Sequence, residues 1–254
     1  MMQSGAAVHW SRWLVRAQWL LLAIIFCAAL AVRLQLVHFG PVFQVFRLAG
    51  LAMLGVVLLS MPVFIWGLVK RHADARRAAL WATVLGLVPV AVPLMTMGQG
   101  NLNAPPISDI STDLKDPPQY RAVLSLRHRD DNSAEYAGEA VARQQRDADM
   151  YDDIRPLVLS MPVSRATELA AEVARELGWR IVAEDPERGR LEAVDRTPLL
   201  GLSSDVVVRV QAEGDGARVD IRSSSRVGKG DLGTNAERIR EFLGDLGARA
   251  EEVE

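Results

Sequence analysis

Three stretches of the chain run on with hardly a polar interruption: 17–37, with Arg33 near its end, and then 49–69 and 79–97, both free of charge. A helix needs about 20 apolar residues to cross the hydrocarbon core of a bilayer. Such runs are too long and too poor in turn residues for strands of a soluble core. Only a helix satisfies its own backbone in lipid, so the pattern predicts three transmembrane helices within residues 1–97. Pro62, Pro89 and Pro93 read as tolerated kinks. Asp, Glu and Lys are missing from all three runs, which argues against an ion or proton pathway.

Beyond residue 97 the pattern breaks up. Residues 98–120 are rich in Pro, Asn, Asp and Ser and read as an extended lead. The stretch AEYAGEAVARQQRDADMY is compatible with helix. A defined module starts near Asp153. A strand is expected over 154–161. A helix is expected over 164–177, where Val163, Ala166, Leu169, Ala170, Val173 and Leu177 form one stripe. Gly178 is placed to end it in a left-handed cap. Strands follow around Trp179, Ile181 and Ala183, over 191–194, over 205–211 and over 218–224. A last helix starts at Thr234, with Thr234 and Glu237 spaced as a capping box. The reading is an α+β domain over 98–254, an antiparallel sheet packed against two helices: the lead over 98–150, the compact module over 151–254.

A two-residue Gly214-Asp215 turn sets the register of the last two strands. Val210 then faces Val219, Val208 faces Ile221 and Val206 faces Ser223, on the side of the helices. On the other side Arg209 faces Asp220, Val207 faces Arg222 and Asp205 faces Ser224. That second face is polar, and the 98–150 segment is free to lie across it.

Charge sharpens the division. Residues 1–97 hold eight Lys/Arg and one acidic residue; residues 98–254 hold 21 Lys/Arg and 30 Asp/Glu. This excludes a single soluble domain and speaks against nucleic acid as a partner of the acidic part. Arg12, Arg16, Lys70, Arg71, Arg76 and Arg77 flank the spans on one side, Arg33 and Arg47 on the other. The positive-inside rule puts the N-terminus and the 70–78 loop in the cytoplasm. The soluble domain is then extracytoplasmic, the protein a multi-pass component of the cytoplasmic (inner) membrane, and the lipid bilayer its first partner. The N-terminal run is too long for a cleavable signal peptide and lacks a clean cleavage site. One cysteine, Cys27, rules out an internal disulfide, and the single soluble-part histidine, His128, offers no metal site. No cofactor is called for.

PPISDISTD (105–113), YDDIRPL (151–157), GWRIV (178–182), SSDVVVRV (203–210) and above all DIRSSSRVGKGDLGTNAERIREFL (220–243) resemble the family catalogued as domain of unknown function 1499. The resemblance spans about residues 98–246. It implies a bacterial membrane or envelope protein and carries over no catalytic residues.

Two constellations bear on function. The loop 222–236 joins three serines, Arg226, Lys229 and three glycines to a helix start, a place that favours an anion. With the polar sheet face it suggests capture of an anionic ligand or an envelope protein partner. Arg209, Arg222, Arg226 and Lys229 would make the contacts, and Asp113, Asp205 and Asp220 would hold the cations in place. The alternative is a membrane-tethered hydrolase with Ser225 as nucleophile and Lys229 as base. Asp109, Asp113, Asp205, Asp220 and Asp231 read as salt-bridge and cap residues rather than as a calcium site.

Overall fold

The structure is a computed structural model that describes residues 10–97 and 104–253, with 92–97 as backbone alone. The start of the extended lead, 98–103, lies outside the described residues. The chain divides into two compact units, Met1–Gln99 and Gly100–Glu254.

The first unit holds helices α1 (Arg12–Arg33), α2 (Phe39–Val69) and α3 (Ala73–Met97). Three helices form where three were expected. Among the described residues, however, only α1 and α2 are long and apolar enough to cross a membrane. The first turns of α3 carry Asp74, Arg76 and Arg77, and its last residues fall where side chains are not described. Two such helices stand among the described residues where three were expected. Helix α2 also starts ten residues before the apolar run, at Phe39, because the His38 ring accepts the Gly40 amide and caps it. Pro62 sits inside α2 without ending it. The buried Gln18 amide of α1 donates to the carbonyls of Met53 on α2 and Ala82 on α3, at 3.2 and 3.0 Å. Gly86 makes room for it, since a Cβ there would stand 2.6 Å from the Gln18 nitrogen.

The second unit is an α+β domain. Its strands are β1 (Asp109–Ser111), β2 (Leu157–Leu159), β3 (Arg180–Asp185), β4 (Arg190–Arg196), β5 (Ser203–Glu213) and β6 (Gly216–Ser225). They form one antiparallel sheet in the order β1-β6-β5-β4-β3, with β2 also on β6. Helices α4 (Glu139–Arg146), α5 (Val163–Glu176) and α6 (Thr234–Val253) complete it, with 3-10 turns at Ala122–Leu126 and Asp149–Tyr151.

The β5–β6 register is the one expected, pair for pair, from Asp205–Ser224 to Val210–Val219. Gly214 has φ +59°, as the first position of a Gly-X hairpin turn requires. Gly178 likewise follows α5 with φ +78°. One face of the sheet, with Leu191, Val206, Val208, Val219 and Ile221, packs on Leu169 and Val173 of α5 and on Ile239, Phe242 and Leu246 of α6. The expected strand over 154–161 shrinks to three residues. β1 and β2 share the outer edge of β6, and Thr112 bridges the gap by exchanging hydrogen bonds with the Ile221 backbone.

The start of α6 differs from the capping box expected of Thr234 and Glu237. Thr234 is already helical, and its hydroxyl donates to the Asp231 carbonyl. The Asp231 carboxylate does the capping, accepting the amides of Gly233 and Asn235 at 2.9 and 2.8 Å.

Candidate functional site

The polar face of the sheet gathers many of the domain's charges. Alternation along β5 and β6 turns Asp205, Arg209, Arg218, Asp220 and Arg222 to one side. Residues 104–136 lie across that side. Tyr120 and Val123 pack on Val194 and Val207 and exclude water from the middle.

Arg209, Arg218 and Arg222 on this face each meet a carboxylate. The Arg222 guanidinium is fully buried and forks onto Asp109 at 2.9 and 2.7 Å. Two further hydrogens go to the carbonyls of Pro118 and Ala134, and it lies 4.6 Å from the Tyr120 ring centroid and 5.2 Å from that of Tyr136. Asp205, also fully buried, takes Arg226 at 2.6 Å and Arg127 at 2.5 Å. Burial pushes the Asp205 carboxyl up, against the pull of those two guanidiniums. Nearer the surface, Arg209 reaches Asp113, Asp116 and Asp220, and Arg218 shares Asp220. Burial raises the Asp113 carboxyl, but the amides of Asp116 and Lys115, then Arg209 and Arg218, outweigh it and hold it low.

Asp113, Asp205, Arg209, Asp220, Arg222 and Arg226 thus come together in one layer, paired among themselves and with Asp109 and Arg127. Lys229 does not join them; it is exposed on the loop. The helix start that favoured an external anion already holds the Asp231 carboxylate. Ser225 and Lys229 are not brought together as nucleophile and base. The Ser225 hydroxyl is buried and accepts from the Asn235 side chain at 2.9 Å.

Glu192 was missed by sequence reasoning. Its carboxylate, 1% exposed, takes the amides of Arg121 and Val123 at 3.0 and 3.1 Å and the Arg190 guanidinium. It caps the Ala122–Leu126 turn from the sheet. Its only signal was an acidic residue inside an apolar strand, and nothing in the pattern named its partner. Burial raises this carboxyl, but the two amides and Arg190 prevail and hold it below 4.5. A carboxylate lowered in the fold stabilises at neutral pH and loses that contribution as pH falls through its folded value. Glu192→Gln is expected to cost about 1–3 kcal/mol at pH 7 and to flatten the acid side of the stability profile. Urea melts of both proteins from neutral pH downward measure this; parallel profiles would contradict it.

These features define the class: an α+β domain with two helices on one sheet face and a strapped, ion-paired second face, in a chain whose described residues include two helices long and apolar enough to cross a membrane. The chain belongs to the family described as protein of unknown function (DUF1499), whose model matches residues 109–246. No curated protein matches it in sequence. Among solved structures, CalU16 from Micromonospora echinospora is similar over 38% of this chain and 82% of its own, at 17% identity and a TM-score of 0.26.

Proposed function

We propose that this chain is a membrane-anchored accessory protein of the bacterial envelope, with a non-catalytic soluble head that binds an anionic ligand or a protein partner. In this reading α3 crosses the cytoplasmic membrane together with α1 and α2, and the lysines and arginines around the three spans keep the N-terminus inside. The head then stands on the extracytoplasmic side.

The observation that carries the non-catalytic reading is the self-neutralised sheet face. Buried charges that satisfy one another fix a shape and leave little free to do chemistry. Arg222 and Arg226 serve the head from inside, so contact with a partner falls to exposed groups such as Lys229. A hydrolase built on Ser225 and Lys229 has no support in the geometry.

Protease added to intact spheroplasts tests the placement. Digestion of the head without permeabilisation is the expected result. A head that survives in spheroplasts and is lost only from permeabilised cells would overturn it.

A further inference from the structure

The YDDIRPL segment is not absorbed by the charged sheet face. Tyr151, Asp152, Ile154 and Arg155 instead line a half-open cleft of about 240 Å³, closed on its other sides by Leu114 and by Gln145 and Arg146 of α4. At ~30 Å³ of liquid per water this is room for roughly eight waters, or one small metabolite.

The groups around it are sorted by chemistry. Leu114 and the buried Ile154 and Tyr151 offer apolar surface. The Gln145 amide is occupied, donating to and accepting from the Ser111 backbone, so it forms a fixed wall. Asp152 and Arg155 are both exposed, and they are not spent on each other. The Arg155 Nε donates to the Asp152 carbonyl at 2.9 Å, not to its carboxylate. Among the described residues neither side chain forms an ion pair, unlike the charges of the sheet face. Arg146 adds a second guanidinium, held by the exposed Glu139. Tyr151 is 3% exposed, and its hydroxyl has no hydrogen-bond partner among the described residues.

An apolar floor with one unpaired cation and one unpaired anion at the rim matches a ligand built the same way. We infer that this cleft binds a small zwitterion with an apolar body, of the α-amino-acid type. Its carboxylate meets Arg155 and Arg146, its ammonium meets Asp152, and its side chain rests on Leu114, Ile154 and the Tyr151 ring. This rests on the reading of the head as a binding module and gives that reading a site and a ligand class.

Saturation-transfer NMR on the full chain in detergent micelles, with phenylalanine, N-acetylphenylalanine and phenylalaninamide at millimolar concentration, tests it. Phenylalanine should bind best, and blocking either charged end should weaken it by about tenfold. Arg155→Gln should weaken phenylalanine and N-acetylphenylalanine but leave phenylalaninamide unchanged. Asp152→Asn should weaken phenylalanine and phenylalaninamide but not N-acetylphenylalanine. Both positions are exposed, so neither change endangers folding. Equal affinities for phenylalanine and N-acetylphenylalanine, both lost in Arg155→Gln, would overturn the zwitterion while sparing an anion-binding head. Affinities that neither substitution alters would overturn the cleft. No transfer to any probe would also overturn it, and the spheroplast result would then still judge the envelope placement separately.

Discussion

Arg222→Leu should destabilise the soluble domain by about 3–5 kcal/mol, the usual cost of breaking a buried ion pair from one side. The guanidinium is fully enclosed, so its removal strands everything it serves. Asp109 loses both of its short bonds, and the carbonyls of Pro118 and Ala134 lose their donor. The Tyr120 and Tyr136 rings lose the cation between them. Most of the loss comes from leaving Asp109 without its cation, which makes a second variant informative. Arg222→Leu combined with Asp109→Leu should recover a large part of the stability, because an apolar pair needs no partner. Urea denaturation of the full chain in micelles, followed by the near-ultraviolet signal of Trp179 and the tyrosines, measures both. A single variant within about 1 kcal/mol of the parent would show that the pair is far better solvated than its burial indicates. Domains are commonly stable by about 5–15 kcal/mol, so the predicted loss separates a folded head from a marginal one.

Gly189→Ala is expected to be comparably damaging, for a steric reason. Gly189 has φ +61°, and a Cβ there would stand 2.0 Å from the Val210 carbonyl oxygen and 2.9 Å from the Val163 side chain. The carbonyl belongs to β5 backbone and cannot swing away. The same residue accepts the Val210 amide at 2.7 Å, so moving it also strains the β4–β5 pairing. Gly214 is the natural control. Its φ is +59°, but its Cβ position is open. Gly214→Ala should cost only the left-handed backbone term, about 1–2 kcal/mol. Gly189→Ala should exceed it by at least about 2 kcal/mol, in the range of overpacking strain. Thermal melts of the two variants side by side decide this; equal losses would mean that the turn relaxes and the close approach is immaterial.

Local periodicity alone determined a good deal here. Strict alternation and one Gly-X turn specified the β5–β6 pairing to the residue, because a one-residue slip would have turned Val206, Val208 and Val210 out of the core. The 3.6-residue stripes located α5 and α6, and the final block of residues 220–243 pointed to the right family. Apolar runs located the helices of the first unit. They did not give the helix bounds, since a run of apolar letters says nothing of where a helix starts: α2 begins at a histidine cap, and α3 begins among charges.

What the charged residues do was decided by the tertiary structure. Alternation put Asp205, Arg209, Asp220 and Arg222 on one face, but a face can be open or covered. The covering chain, 104–136, has no period to read, and its Asp109, Asp113, Tyr120 and Arg127 stand 78 to 113 positions away from the partners they meet. The same holds for Glu192 and the amides of Arg121 and Val123, and for the cleft around Arg155. Ion pairing acts through space over a few ångströms, whereas patterning records only what neighbours along the chain share; so the strands were legible from the letters, and the partners became visible only when the chain closed on itself.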